Sequence, residues 1–114
     1  MTDKEIIEKK KLKLAEDIEN LFEETDKINI YTLNVKVEEL TKQHFQKASQ
    51  MLRFFACGWA RAMFFAYSTA KDENQKANEQ ALKSLACAER DFDSYLEKYV
   101  LTDIEKREFE DLPF

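Results

Sequence analysis

Residues Met51 to Tyr67, MLRFFACGWARAMFFAY, decide how this chain is read. The segment is apolar on every face of a helix, and Arg53 and Arg61 are its only charges. An ordinary surface helix carries one apolar stripe and one polar face. A helix that is apolar all round has to be covered on more than one side, by other helices of the fold or by another chain. The segment therefore sits at the centre of whatever the chain builds.

Working outward, the 114 residues contain a single glycine, Gly58, and a single proline, Pro113. A β fold of this length needs several turns, and the residues that make turns are missing. With 44% hydrophobic and 36% charged residues, the composition is that of one globular all-α domain. A first helix is expected over Asp3–Glu24, opened by the capping-box pattern Thr2-Asp3-Lys4-Glu5. Its stripe of Ile7, Leu14, Ile18, Leu21 and Phe22 is narrow, as in a peripheral helix. Residues 26–34 read as an extended linker. Ile28 and Ile30, then Leu33, Val35 and Val37, alternate with polar residues, and their β-branching favours extended backbone. Pairing of this strand with its copy in a dimer is the alternative.

A second helix is expected to begin after Asn34, a good N-cap residue, and to run to about Ala70, with a bend near Gly58. The third follows the cap signal Asp72 to Gln75 and runs to about Val100. A fourth opens at Thr102-Asp103-Ile104-Glu105, again a capping box, and ends by Leu112 because Pro113 follows. The expected architecture is a bundle built on a long antiparallel hairpin of the second and third helices (35–100). A peripheral N-terminal helix (1–25) and a short C-terminal helix (102–112) pack on it. A turn near Asp72 makes level residues sum to about 144 in number. That register sets Phe45 beside Tyr99, Leu52 beside Phe92 and Cys57 level with Cys87.

The charge is −5 overall and uneven: residues 1–71 carry 12 basic against 11 acidic residues, residues 72–114 carry 6 against 12. The one basic cluster, Lys9, Lys10, Lys11 and Lys13, is hemmed by Glu5, Glu8, Glu16 and Asp17. It reads as a solvated helix face, so nucleic acid is not the expected partner. Met51–Tyr67 is short for a membrane span and its arginines make insertion costly. The charged N-terminus has no apolar h-region. The expectation is a cytoplasmic protein that does not engage membranes.

Chemistry finds little footing. Two cysteines do not make a disulfide framework or a zinc site. His44 is the only histidine, and position 41, where a Glu-x-x-His ligand pair needs its glutamate, is threonine. Serines lack a second histidine or a glycine elbow, and no glycine-rich phosphate loop exists. No catalytic residue, cofactor or metal is expected, and the chain is not read as an enzyme. Arg53 and Arg61 stand out, since a buried arginine needs a carboxylate or a ligand anion. Their ordinary placement is at the rim of a core. At an interface, arginine flanked by aromatics is enriched.

The leading expectation is a protein–protein interaction module that pairs with itself and binds another protein, with Phe54, Trp59, Arg61, Phe65 and Tyr67 carrying the contact. Two alternatives come from other classes. One is a small acidic inhibitor, of immunity or phage anti-host type, presenting Glu89, Asp91, Asp93 and Glu97 to a basic site. The other is a DNA-binding regulator using the lysines of the first helix.

Overall fold

The computed structural model describes residues 2–24, 29–71 and 75–110. Five helices account for nearly all of them: α1 (Asp3–Glu24), α2 (Ile30–His44), α3 (Gln50–Lys71), α4 (Gln75–Leu96) and α5 (Asp103–Glu110). Among the described residues there is no strand. The expected all-α bundle on a helical hairpin is what the chain forms, with α3 and α4 as that hairpin.

Side-chain caps set several of the boundaries. The Thr2 hydroxyl accepts from the Glu5 N–H at 3.2 Å and opens α1. Thr102 does the same for Glu105, whose carboxylate accepts in return from the Thr102 N–H, a reciprocal capping box at the start of α5. Asn29, in extended backbone, accepts from the Thr32 N–H at 2.8 Å and starts α2. This start corrects the extended linker assigned to 26–34 and the helix start after Asn34. Ile30, Leu33, Val37 and Thr41 recur at helical spacing while Leu33, Val35 and Val37 alternate, and the Asn29 cap goes with the helix. Asp26 to Ile28, the Asp72–Asn74 part of the next cap signal, and Leu112 and Pro113 lie outside the described residues.

The second correction concerns continuity. The long second helix is two helices, broken at 45–49 rather than bent at Gly58, through which α3 runs without interruption. Phe45 turns to extended backbone and buries its ring completely. Four residues on, the Ser49 hydroxyl accepts from the Leu52 N–H at 3.1 Å and caps α3.

Helices adjacent in sequence pack together: α1 on α2, α2 on α3, α3 on α4. Leu14 and Ile18 of α1, Leu33 and Val37 of α2, Ala56 and Ala60 of α3 and Phe92 of α4 form the dry centre. Each large apolar side chain so buried contributes about 1.5–3 kcal/mol. Aromatic stacking sets the α3–α4 register, with Phe55 on Tyr95 at 4.6 Å and Trp59 on Phe92 at 5.1 Å between centroids. Phe45 meets Tyr99 edge-on, as expected, but beyond the helix ends. Within the helices the stacked pairs sum to 150 and 151 rather than 144. Part of the offset arises because α3 ends at Lys71 and α4 begins at Gln75, a midpoint of 73 rather than 72. The rest follows from side chains leaning toward the N-terminus of their own helix, which displaces contacts in opposite directions along an antiparallel pair.

The fourth side of the bundle, between α1 and α4, is closed differently. There the Lys11 ammonium reaches across to Glu89 at 2.7 Å and Asp93 at 2.8 Å. α5 lies against α1.

Candidate functional site

An all-apolar helix cannot announce which face its neighbours will take, and in α3 the neighbours divide it three ways. Trp59 and Phe55 face α4, as the ring stacking shows. Cys57 faces α2, where its thiol donates to the Asn34 carbonyl at 3.6 Å. Met51, Phe54, Gly58, Arg61 and Phe65, spaced by three and four residues, share a third face. Met51, Phe54 and Phe65 are 48%, 58% and 53% exposed, so this face is largely uncovered. A methyl group added at Gly58 would meet nothing within 4 Å, which leaves a notch in the middle of the row.

The residues expected to carry a contact thus separate. Phe54 and Phe65 stand on the uncovered face and Arg61, half-buried, lies between them. Trp59 departs from the expectation: it is 4% exposed, a core residue stacked on Phe92. Tyr67 is partly exposed but turns toward α1, where its ring lies 5.7 Å from that of Phe22. The structure brings Phe54, Arg61 and Phe65 together and leaves Trp59 and Tyr67 elsewhere.

Neither Arg53 nor Arg61 lies within ion-pair distance of a carboxylate among the described residues, and the Arg53 Nε is buried without a hydrogen-bond partner. Between them on the helix, burial pushes the Cys57 thiol up to about 11, with Glu38 adding to the rise and the two guanidiniums opposing it. Cys57 is a protonated core thiol, and Cys87 is exposed and free. The level placement of the two does not make a bridge.

The acidic face is also divided. Glu89 and Asp93 are engaged by Lys11, leaving Asp91 and Glu97 exposed. Burial opposes the charge on Lys11, but its bonds to Asp93 and Glu89 outweigh that and raise its pKa. Lys10 and Lys11, expected on a solvated face, are both buried. Two of the four clustered lysines are therefore turned inward, which removes them from any surface that could track phosphates.

Sequence reasoning missed a buried polar cluster between α1, residues 44–49 and the start of α5. Glu105 has no exposure at all. Its carboxylate accepts from the Tyr99 hydroxyl at 2.8 Å and lies 3.4 Å from the Lys10 ammonium. Tyr99 in turn accepts from the Lys47 N–H at 3.1 Å, and Lys10 donates to the His44 carbonyl at 2.8 Å. The His44 ring stands 2.6 Å from Asp17. Burial alone would raise the Glu105 pKa, but the Thr102 N–H, the Tyr99 hydroxyl and Lys10 hold it below the ordinary carboxylate value. The same burial drives the Tyr99 phenol well above its usual range. The capping box at Thr102 was the available signal, since it placed Glu105 at a helix start, though not in the interior. With its partners all supplied by the fold, the cluster ties α1, the 45–49 break and α5 together.

These features define a class, an all-α up-and-down bundle whose α3 carries an uncovered apolar face. Comparison with protein-family models, with curated proteins and with solved structures finds no match. No helix among the described residues is long and apolar enough to cross a membrane.

Proposed function

We propose that this protein is a non-enzymatic interaction module that pairs with a second copy of itself through the outer face of α3 and, so assembled, binds another protein. The observation that carries the reading is the exposed row of Met51, Phe54 and Phe65 around the open notch at Gly58. Contiguous exposed apolar side chains are a liability in a monomer and a common mark of an interface. The row is also self-complementary. Two α3 helices crossing antiparallel at Gly58 bring Met51 of one copy level with Phe65 of the other, and Phe54 level with the Arg61–Ala62 turn. Thioether–aromatic and cation–π contacts are favourable in those positions. Gly58 allows the backbones to approach where a larger side chain would hold them apart.

Light scattering on Phe65→Glu tests the reading. The wild-type chain is expected at the mass of two copies and the variant at the mass of one, with the helical circular dichroism unchanged. A wild-type monomer, or a variant that keeps the dimer mass, would remove the proposal.

A further inference from the structure

The α1–α4 side of the bundle is pinned at one end and open at the other. Lys11 closes it against Glu89 and Asp93, and its ammonium caps the Trp59 ring at 5.5 Å. Beyond Lys11 the helices part over a groove of about 640 Å³. Its floor is Trp59, Met63 and Ala66 of α3, and its walls are Leu12 and Ala15 of α1 and Leu85 of α4. Leu12 is 66% exposed on one lip. Past Leu85, Leu82 is 59% exposed and lies seven and eleven residues before Glu89 and Asp93, on the stripe of α4 that faces α1. In a closed four-helix bundle both leucines would be interior.

The rim is acidic. Glu8, Glu19 and Glu23 of α1 line the groove along with Glu89. The first three are exposed, and among the described residues none of them has an ion-pair partner. From Lys11 to Glu23 the α1 wall extends about 18 Å at 1.5 Å per residue, with Glu8 one turn before it. A long apolar trough with carboxylates along its edge fits an amphipathic helix laid lengthwise, its apolar ridge toward the floor and its cations toward the rim.

We propose that this open seam is a second binding site, and that its occupant is an amphipathic helix of a partner protein whose apolar ridge is flanked by lysine or arginine. A small molecule on the floor would leave Leu12 and Leu82 in water, whereas a helix laid along the seam extends past the groove to reach both. The proposal rests on the reading of the chain as an interaction module but not on pairing through α3, and its test separates the two.

Trp59 is the only tryptophan in the chain and sits on the groove floor, so its emission reports occupancy. The probe is a synthetic amphipathic Leu/Lys helix of about 18 residues with no aromatic side chain, long enough to match the wall. A saturable change in Trp59 emission is expected. Replacing Glu8, Glu19 and Glu23 together by Gln should weaken it about tenfold, as loss of several exposed charge pairs does. Neutralising the exposed Glu79, Asp91 and Glu97 should leave it intact, and so should Phe65→Glu, which addresses the α3 pairing alone. Equal weakening by the two charge-neutral triples would mean diffuse attraction to an acidic protein and would overturn the site. So would equal binding of a Leu/Glu helix, no response at Trp59, or loss of binding in Phe65→Glu. A response to tetraphenylphosphonium with none to the peptide would assign the groove to small hydrophobic cations and overturn the helix.

Discussion

Glu105 shows how much one side chain can hold. It caps α5, receives the Tyr99 hydroxyl and faces Lys10, all without exposure to water. Removing one member of a buried pair leaves the other charge unsatisfied, which costs more than the pair contributes. Glu105→Gln is expected to destabilise the fold by about 3 kcal/mol, read as the shift in urea midpoint at neutral pH. The pH dependence has a definite sign. The folded pKa of Glu105 lies below its ordinary 4.5, so its contribution is full above that value and is lost as pH falls through the lower one. The gap between wild type and variant should therefore narrow as pH drops from about 5 toward 3. A gap that stays constant would mean that the loss comes from shape rather than charge. In the sequence, Glu105 was legible as a capping residue only. Its burial depends on Lys10 arriving from ninety-five positions earlier, and no local pattern encodes that meeting.

At the scale of elements, the boundaries written in short-range chemistry were the legible ones. Thr2 and Thr102 marked the starts of α1 and α5 because a capping box needs only residues three apart. The start of α2 was not legible: Leu33, Val35 and Val37 alternate, Ile30, Leu33 and Val37 recur at helical spacing, and β-branched content tips the reading toward extended backbone. The break at 45–49 was hidden for a different reason. It uses neither glycine nor proline but the burial of Phe45 and the Ser49 cap. Ser49→Ala should then cost about 1 kcal/mol, as loss of an N-cap does. Ser94→Ala, where an exposed hydroxyl only bonds back to the Arg90 carbonyl, should change the urea midpoint little. Equal effects at the two serines would deny Ser49 its role in separating α2 from α3. The outer row of α3 was legible as an apolar excess without an address. Trp59 was misplaced because a helix apolar on all sides has no periodicity from which to choose a face.

For the whole molecule, the two thiols offer a measure of how the bundle opens. Cys87 stands in water, while Cys57 lies between α2 and α3 with its pKa pushed up to about 11. An alkylating reagent at pH 8 is expected to modify one thiol per native chain, and the second only in denaturant; mass spectrometry counts the adducts. Rapid double labelling of native protein would contradict the burial of Cys57. The groove between α1 and α4 was invisible in the sequence, since it arises from how far two helices diverge and not from any residue pattern. The order of the helices along the chain bears on how the bundle forms. Because α1 through α4 each pack on their neighbour in sequence, most of the core closes over short loops, and chains of such low contact order fold in microseconds to milliseconds. The clasp between Lys10 and Glu105 joins segments from opposite ends of that order. It cannot form until the bundle has been laid down, so it is absent from the barrier. Its role is to slow the way out, and loss of Glu105 will raise the unfolding rate while leaving the folding rate nearly unchanged.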